Sequence, residues 1–541
     1  MKAKNNRWLI IACCAVLTLV WGILASKTFN PKPDLNGDNF NYYIYATSLA
    51  TGQGYCDLSY PGTPHTANFP PGYPILMAPL RTITDSVVAQ KWLNELFVLG
   101  GILLLFFALL RVLDPSSKKH EPLTIDSKNT FFLALVAAAA GLFSPRLWHF
   151  STMMMSEASF FFTSALVFYA LTRMRNSLRS AWLWVMIAAL IFNYHIRTQG
   201  LALVAAVLLL LLFQRRWLSL GTTVVGFVLG CLPYMLRNKM LGLNGNRYMD
   251  TIMLSNPFQP DAGTLTLSEV VARFFQTLKM LVFNAIPNTI FPYLNVNCDQ
   301  PEFTTGIYII GALVLAVTLI GFWSAGSLRW GLIGYLFATL GLISIFSTPS
   351  GNRYLTSVLP FLAAGLMLGI WQIIEWVLSK HKKLLVTGLP LLLALTFIAS
   401  KDGIKSEIEF SKQKYPLQYV QFFNLGKQLK KVAPKGSVVC SRKPQMFWLQ
   451  SELPGVNYKY TKDAEELLTD LAQKQVDYVV LDALGYSSTY LYLFPAVQKY
   501  ASYFPQVIAH YENTGTYLLR FERERWLRDN GSADHPSGMN P

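Results

Sequence analysis

Eleven apolar segments, separated by short polar turns, dominate the first 400 residues of this chain of 541 residues. A helix needs about 20 apolar residues to cross a bilayer. The pattern therefore predicts a polytopic α-helical membrane protein with about 11 transmembrane helices. The predicted spans are approximately 8–26, 87–110, 130–145, 158–172, 181–196, 200–213, 218–236, 306–324, 331–347, 354–378 and 384–400. No small-residue cleavage site follows the first span, so we interpret it as an anchor and not as a signal peptide.

The chain changes character after residue 400. Helix-like DAEELLTDLAQKQ alternates with strand-like GSVVCS and VDYVVLDAL, and a paired ending surrounds VIAHYENTGTYLLRF. Helices that alternate with short apolar strands indicate a small α/β domain, which we place at 401–525. Residues 1–400 are then the transmembrane domain, with long outer loops at 27–86 and 237–305. The polar tail 526–541 is predicted to be disordered.

Composition supports a membrane protein, and the charges indicate its orientation. Only 14% of the residues are charged, against about 25% in soluble domains. The net charge of +16 comes from basic residues in short turns, which is an orientation signal and not a nucleic-acid surface. With a cytoplasmic N-terminus, the short outer loops hold only Arg146, Arg197 and Arg353, and the short inner loops hold Lys2, Lys4, Arg7, Arg111, Lys118, Lys119, Lys128, Arg173, Arg175, Arg179, Arg215, Arg216, Arg329, Lys380, Lys382 and Lys383. An odd number of spans then places the C-terminal domain outside.

The cysteines and the motifs that are missing narrow the chemistry. No phosphate-binding G-x-x-x-x-G-K-[ST] loop occurs, which argues against ATP-driven chemistry. No C-x-x-C, H-E-x-x-H or D-x-D motif occurs, so we expect no metal and no cofactor, although a divalent metal stays possible. Of the three cysteines outside the spans, Cys56 and Cys298 are the more plausible disulfide pair. Free buried thiols are an equally good interpretation.

A polar stretch with several aromatic residues follows the first span. Asp38 opens a predicted helix that runs to about Ala50 and ends at the glycines of G-Q-G-Y. Its tyrosines suggest that the helix lies at the headgroup level of the outer membrane surface. Two interpretations of Asp38 stay open, because aspartate is a favoured helix N-cap as well as a candidate catalytic group. Asp34 is nearby, and His65 is either a ligand contact or a solvated loop histidine.

Four arginines and one glutamate mark the predicted outer ends of the spans: Arg146, Arg197, Arg237, Arg353 and Glu157. Each arginine alone is more often a boundary residue that extends its charge to the interface. If several converge, they match the phosphate of a lipid whose tail stays in the bilayer, because arginine binds phosphate in a bidentate manner. Glu157 is either a second acid at that level or a helix N-terminal acid favoured by the dipole.

The second outer loop contains LSEVVARFFQTLKMLVF, which has the pattern of an amphipathic helix. Its apolar face carries Leu267, Val270, Val271, Phe274, Leu278 and Leu281. Two interpretations stay open: the helix lies in the outer membrane interface, or it packs on the soluble domain.

The order of several short motifs resembles the C-fold membrane glycosyltransferases, which include protein O-mannosyltransferases, aminoarabinose transferases and their bacterial relatives. The motifs are D-x-x-x-Y at Asp38, G-x-G-Y, P-P-G-Y-P at Pro70, S-E at Glu157, R-x-Q-G at Arg197, and R-Y at Arg353 followed by L-P-F. The resemblance covers about residues 8–380. At Phe69 this chain reads F-P-P, where aminoarabinose transferases carry K-P-P.

The resemblance implies a function and a site. Such enzymes transfer a sugar from a polyprenyl-phosphate donor to an acceptor on the outer membrane face. It implies that Asp38 is the catalytic base, that Glu157 is a second acidic position, and that Arg353 and Tyr354 bind the lipid phosphate. Asp34, His65, Arg146, Arg197 and Arg237 complete the candidate substrate-binding set. The chemistry of these residues fits a single displacement that inverts the anomeric centre.

The expected activity is therefore that of an inverting hexosyl- or pentosyltransferase that acts on a hydroxyl of a protein, lipid or glycan. The expected location is the bacterial inner membrane, with the C-terminal domain in the periplasm. Three alternatives stay open: a transporter or flippase of lipid-linked sugars, a ligase of the O-antigen type that moves a whole glycan, and a non-catalytic scaffold. A transporter usually shows repeats and ionisable groups near the membrane midplane, whereas the polar groups here fall at the outer ends of the spans.

Overall fold

The computed structural model describes residues 2–35, 37–113, 127–243, 252–255, 263–290, 304–345, 351–378 and 382–530. The first helices in chain order are α1 (Lys2–Thr28), α2 (Gly37–Ala50), α3 (Gly72–Arg81), α4 (Val87–Leu113), α5 (Ser127–Leu142), α6 (Pro145–Ser151), α7 (Glu157–Arg173), α8 (Ala181–Ile196), α9 (Gly200–Phe213) and α10 (Trp217–Met240). They are followed by α11 (Leu267–Met280), α12 (Ile286–Ile290), α13 (Thr305–Ser324), α14 (Arg329–Ile345), α15 (Gly351–Leu355), α16 (Leu359–Val377) and α17 (Lys382–Lys412).

The rest of the chain alternates helices with strands. Its helices are α18 (Leu417–Val432), α19 (Pro444–Ser451), α20 (Ala464–Gln473), α21 (Phe494–Lys499) and α22 (Arg523–Asn530). Its strands are β1 (Val438–Cys440), β2 (Gly455–Val456), β3 (Val476–Leu481), β4 (Gln506–Tyr511) and β5 (Thr516–Arg520). Both strand-like segments of the sequence are strands, and the paired ending is the β4–β5 hairpin.

The chain forms two compact units. The membrane unit consists of the chain up to Pro33 together with Ala67–Lys412, and the sheet unit consists of Asp34–Thr66 together with the chain from Gln413 onward. This division differs from the predicted one at two places. The helical segment continues to Lys412 and not to 400. The predicted outer loop 27–86 divides between the units: Asp34–Thr66 belongs to the sheet unit and the rest to the membrane unit. Part of the predicted disordered tail, up to Asn530, is helical; the remainder lies outside the described residues.

The membrane unit is helical, and a helix coincides with each of the eleven predicted spans. Among the described residues, six helices are long and apolar enough to cross a membrane, or seven if the bent pair Thr130–Leu142 and Pro145–Ser151 is one span. That number is smaller than the eleven predicted, because several of the coinciding helices, such as α7, α8 and α9, have 17 residues or fewer. These apolar helices identify an integral membrane protein.

Helices of the membrane unit approach one another closely at small residues. The sequence G-L-M-L-G in α16 faces α13, where a Cβ on Gly321 would lie only 1.8 Å from the carbonyl oxygen of Gly365. Glycine is therefore required at position 321. Such small-residue contacts let helix backbones pack in a bilayer, where the hydrophobic effect does not drive helices together.

The amphipathic segment of the second outer loop is helix α11. Its first turn has a capping box, in which Glu269 N–H donates to Thr266 Oγ1 and Glu269 Oε2 accepts from Thr266 N–H. The side chains of Leu267, Val271 and Phe275 are 76%, 48% and 61% exposed, and they form one apolar stripe. An exposed apolar stripe on an integral membrane protein is what a helix in the membrane interface needs.

The sheet unit contains one five-stranded sheet with the order β2-β1-β3-β5-β4. Strands β2, β1 and β3 are parallel, whereas β5 runs antiparallel to both β3 and β4. The core lies between this sheet and its helices, and it includes Leu467, Leu471, Val479, Leu519 and Trp526. The predicted small α/β domain is confirmed.

The segment Asp34–Thr66 belongs to the sheet unit, and α2 packs against α19 there. Gly455 N–H donates to Ser59 O at 2.7 Å, which attaches this segment to β2. Phe40, Tyr43 and Ile44 of α2 are no more than 5% exposed, so these side chains face protein and not lipid headgroups, and the level of the helix relative to the membrane stays a prediction. The aromatic residues of this helix form a protein core contact.

Candidate functional site

A buried carboxylate between two guanidinium groups is the main feature of the membrane unit. Glu157 Oε1 accepts hydrogen bonds from Arg197 Nη1 at 2.7 Å and from Arg353 Nε at 2.9 Å. The side chains of Glu157, Arg197 and Arg353 are 2%, 11% and 22% exposed, respectively. The three groups together carry a net charge of +1, and the arginines are the more exposed members. We call this arrangement the Glu157 triad.

Three separate helix ends place the Glu157 triad. Glu157 is the first residue of α7, Arg197 is the C-cap of α8, and Arg353 lies in the five-residue helix α15. Arg197 Nη1 also donates to Ser156 Oγ at 3.2 Å, and Arg353 Nη2 points at Met155 Sδ at 3.7 Å. The segment before α7 therefore binds both arginines.

Tyr354 lies against the same arginine. The guanidinium carbon of Arg197 is 5.4 Å from the centre of the Tyr354 ring, which is the geometry of a cation–π contact. Gln199 Nε2 donates to Tyr354 O at 3.1 Å. The R-x-Q-G turn and the R-Y segment are thus connected twice, by stacking and by a hydrogen bond. The structure brings together the candidate residues Glu157, Arg197, Arg353 and Tyr354.

The glycine of the R-x-Q-G turn is required by a close backbone approach. A Cβ on Gly200 would lie 2.7 Å from Tyr194 Cα and 2.8 Å from Asn193 Oδ1. Asn193 itself is buried, and its Nδ2 donates to Thr163 Oγ1 at 2.7 Å, which ties α8 to α7. The turn that carries Arg197 is therefore fixed by close packing at Gly200 and by the hydrogen bond that joins α8 to α7.

Several buried polar side chains on α4 support the segment before Glu157. Asn94 Nδ2 donates to the carbonyl oxygens of Met153 and Met155. Lys91 Nζ donates to the carbonyl oxygens of Asn30 and Lys32, and Glu95 Oε1 accepts from Ser151 Oγ at 3.0 Å. The sequence analysis missed these residues. Their signal was present, since the polar positions Gln90, Lys91, Asn94 and Glu95 interrupt an apolar span on one helical face.

The remaining basic candidates occupy other surroundings. Arg237 lies in the last turn of α10, where its guanidinium is 5.9 Å from the Tyr234 ring centre and Nη1 donates to Asn238 Oδ1 at 2.8 Å. Arg146 is the second residue of α6 and is half-buried. The contacts described for Arg237 are with its own helix, and the role of Arg146 and Arg237 in substrate binding stays a prediction from the sequence.

The candidates of the first outer loop lie in the sheet unit. Asp38 occupies the second position of α2, so it is a first-turn acid favoured by the helix dipole and not the N-cap. Asp34 Oδ1 accepts from Asn39 Nδ2 at 3.2 Å.

His65 Nδ1 lies 3.1 Å from Cys56 Sγ, and the two residues form an isolated β-bridge. Cys56 is a buried free thiol, and Cys298 lies outside the described residues.

Within the described residues, no group of three or more His, Cys, Asp or Glu side chains has the geometry to hold a metal ion. The Glu157 triad supplies positive charge from guanidinium groups instead. Glu157 orients both arginines and Ser156 also binds Arg197, and two guanidinium groups fixed in this way have the chemistry to bind an anion.

The fold is that of the C-fold membrane glycosyltransferases. The chain is similar to ArnT of Cupriavidus metallidurans in the apo state, with a TM-score of 0.56 and 11% identity over 96% of this chain and 98% of that chain. ArnT bound to undecaprenyl phosphate gives a TM-score of 0.53 and 12% identity over 94% and 97%.

A second solved relative in fold is the oligosaccharyltransferase of Archaeoglobus fulgidus in complex with Zn and sulfate. It gives a TM-score of 0.52 and 12% identity over 93% of this chain and 72% of that chain. No protein-family model and no curated protein sequence matches the chain. At these identities the likeness establishes the architecture, a polytopic helical membrane protein with a C-terminal sheet domain.

Proposed function

We propose that this protein is an inverting glycosyltransferase that moves a sugar from a polyprenyl-phosphate donor to a hydroxyl group of an acceptor on the outer face of the membrane. The observation that carries the proposal is the Glu157 triad, in which a buried carboxylate holds Arg197 and Arg353 at 2.7 and 2.9 Å. A preorganised pair of arginines is a suitable site for a phosphate group.

The fold supports a lipid-linked donor. The ArnT structure to which this chain is similar was determined with undecaprenyl phosphate. In our proposal Arg197 and Arg353 bind the phosphate of such a donor, and Tyr354 orients Arg197 by stacking on it. The donor tail stays in the bilayer. Arg146, Arg237, Asp34 and His65 are proposed as further substrate contacts.

The chemical step is a single displacement. The Asp38 carboxylate takes the proton of the acceptor hydroxyl while its oxygen attacks the anomeric carbon. The bond from that carbon to the phosphate oxygen breaks, and the electron pair stays on the phosphate. The products are the glycosylated acceptor and polyprenyl phosphate. A general base of this kind contributes about 10²–10⁴-fold, and donors aimed at the developing charge usually contribute more.

The two arginines supply the positive charge that this step needs, so the proposal assigns no cofactor. We place the protein in the bacterial inner membrane, with a cytoplasmic N-terminus and a periplasmic sheet unit. This orientation follows from the distribution of basic residues between the predicted inner and outer loops. The acceptor is a protein, lipid or glycan that reaches this face.

The test compares cell-envelope glycans, glycolipids and glycoproteins by mass spectrometry in strains with and without the protein. The Asp38→Asn variant should reproduce the loss of the modification while the purified protein still binds undecaprenyl phosphate. Asp463→Asn is the matched control, because Asp463 caps α20 and asparagine caps a helix equally well.

Full modification in the Asp38→Asn strain would contradict the assignment of the base. A changed distribution of lipid-linked sugar between the two leaflets, with every glycan intact, would favour the transporter over the enzyme.

A further inference from the structure

A cluster of charged and tyrosine residues lies at one edge of the sheet unit. Strands β1 and β3 are parallel neighbours, and the segments after their carboxyl ends are Ser441–Lys443 and Asp482–Tyr486. In open α/β sheets, ligands bind at the carboxyl ends of parallel strands. We define the tyrosine–cation cluster as Arg442, Lys443, Tyr460, Asp482, Tyr486 and Ser488.

The two cations of the tyrosine–cation cluster are held by aromatic rings. Arg442 lies 4.7 Å from the centre of the Tyr486 ring and 5.6 Å from that of Tyr460, and its Nε donates to Ser488 Oγ at 3.0 Å. Lys443 Nζ lies 4.8 Å from the same Tyr486 ring. Two cations therefore share one aromatic ring. Like charges repel, and the nearby Asp482 carboxylate offsets part of this repulsion, so a further anionic group beside the two cations stabilises the arrangement.

Asp482 adds an acceptor that the protein does not use fully. Its side chain is only 3% exposed, and Leu484 N–H donates to Oδ1 at 3.2 Å. The backbone N–H of Arg442 also acts on this carboxylate as a hydrogen-bond donor, and Oδ2 is buried with no partner in good hydrogen-bond geometry among the described residues. Buried polar atoms are nearly always paired, so an unpaired carboxylate oxygen points to a missing donor such as a ligand hydroxyl.

The tyrosine–cation cluster continues to the start of α2. A Cβ on Gly37 would lie 3.6 Å from Lys443 Nζ, so the ammonium group lies against the first residue of the helix that carries Asp38. Tyr419 lies in the same region, because its pKa is raised by burial and by Tyr486, and further by the negative charges of Asp482 and Asp34. The sheet edge and the proposed base thus belong to one polar region of the sheet unit.

These features together match one kind of ligand. Tyrosine rings present flat apolar faces with a polar tip, which suits the apolar face of a sugar ring. A cation pair recognises an anionic substituent, and an unpaired carboxylate oxygen recognises a hydroxyl group. A neutral sugar offers no anionic group to the two cations, and an inorganic anion offers neither a hydroxyl group to Asp482 nor an apolar face to the tyrosine rings.

We propose that the tyrosine–cation cluster binds an anionic sugar residue of the acceptor, one that carries a phosphate or a carboxylate group. Arg442 and Lys443 bind the anionic group, Asp482 accepts a hydrogen bond from a sugar hydroxyl, and the tyrosines contact the ring. This proposal rests on the proposed glycosyl transfer only in that it assigns the bound sugar to the acceptor. The binding site itself can be tested without any transfer.

The test uses the full-length protein in nanodiscs and saturation-transfer NMR with three probes: glucose 6-phosphate, glucuronate and methyl glucoside. The two anionic sugars should bind about tenfold more tightly than the neutral one, because only they form charge-assisted hydrogen bonds with Arg442 and Lys443. The relative affinities of glucose 6-phosphate and glucuronate then identify the preferred anionic group.

The variant R442Q/K443Q should lose this preference. The matched control is R525Q/K499Q in the same unit, whose Arg525 and Lys499 lie 5.1 and 5.0 Å from the rings of Tyr503 and Tyr500. Asp482→Asn should weaken all three sugars. If the double variant fails to fold, Lys443→Met alone should still reduce the preference for the anionic sugars.

Three results would overturn the proposal: equal binding of the three probes, no binding of any probe, or unchanged binding in R442Q/K443Q. Inorganic phosphate that displaces glucose 6-phosphate at an equal concentration, seen as loss of the sugar signal, would also overturn it, because the site would then recognise an anion alone. Failure of the glycosyltransferase assignment gives a different result, in which sugars bind as expected but no cell-envelope glycan depends on Asp38.

Discussion

Glu157 and Arg353 are 196 positions apart in the chain, and their side chains meet at 2.9 Å in the membrane unit. The carboxylate has almost no solvent access, so its charge is balanced by protein groups and not by water. The same oxygen accepts from Arg197 at 2.7 Å. Glu157 therefore neutralises one of the two positive charges of these arginines.

Replacing Glu157 by glutamine keeps the size of the side chain but removes the charge that the two guanidinium groups share. Breaking a buried charge pair in this way typically costs about 3–5 kcal/mol. We expect Glu157→Gln to lower the Tm of the detergent-purified protein by several degrees. Glu409→Gln is the control, since Glu409 is 66% exposed and its contact with Lys405 is 4.0 Å long. Equal Tm values for Glu157→Gln and wild type would show that the triad is not a coupled charge network.

Lysine at position 197 or 353 keeps the charge but loses the planar set of donors. Arg197 donates to both Glu157 and Ser156 while it stacks on Tyr354, and a lysine cannot keep all three contacts. We expect Arg197→Lys and Arg353→Lys each to weaken the binding of undecaprenyl phosphate about tenfold. Native mass spectrometry with titrated lipid measures the effect.

Arg329→Lys is the matched control for these two variants. Arg329 lies 5.0 Å from the Trp323 ring centre and donates from Nε to Gly326 O, so it also combines stacking with a hydrogen bond. It begins α14, on the predicted inner side. A loss of lipid affinity as large in Arg329→Lys as in Arg197→Lys would mean that the lipid is bound through general charge and not through the triad.

The sequence predicted the helices and part of the candidate site for physical reasons that act locally. A long apolar run forms a helix wherever it lies, so a helix coincides with each of the eleven predicted spans. The residues of the Glu157 triad lie at the ends of such runs, where polar side chains can meet without crossing the apolar layer. Their motifs, S-E, R-x-Q-G and R-Y, can therefore be recognised in the sequence alone.

The sequence did not predict contacts that depend on distant packing. Nothing local to Asp34–Thr66 indicates that this segment joins a sheet formed by residues beyond 430, and its tyrosines have the pattern of a membrane-surface helix. Asn94 on α4 donates to the carbonyl oxygens of Met153 and Met155, which lie some 60 positions away in the chain.

Gly200 offers a test of how closely the turn of Arg197 is fixed. A Cβ at this position would collide with the backbone of Tyr194, so the turn must shift in Gly200→Ala. We expect a lower Tm and a weaker binding of undecaprenyl phosphate, because Arg197 moves with the turn. Gly221→Ala in α10 is the control: no atom lies within 4 Å of its Cβ, and alanine favours a helix over glycine by about 1 kcal/mol. A stable Gly200→Ala protein with full lipid affinity would contradict the close packing of this turn.

Asp482 should make the stability of the protein depend on pH. Burial raises the pKa of this carboxyl group from the ordinary value of 3.8 to about 6, against the hydrogen bond from Leu484 and the charges of Arg442 and Lys443. Since the folded chain then holds the proton more tightly than the unfolded chain, the ionised group costs stability. The cost grows as the pH rises from about 4 to about 6 and stays constant above that range.

Asp482→Asn removes this cost. We expect the variant to gain about 2 kcal/mol more over wild type at pH 7.5 than at pH 4.5, which follows from the two pKa values. Thermal unfolding of both proteins, without ligand and at several pH values, measures the difference. Asp463→Asn serves again as the control, because Asp463 is exposed at the start of α20 and accepts from the N–H groups of Glu465 and Glu466. If the gain from Asp482→Asn is the same at both pH values, Asp482 does not titrate near pH 6, and the carboxylate must have a partner that neutralises the effect of its burial.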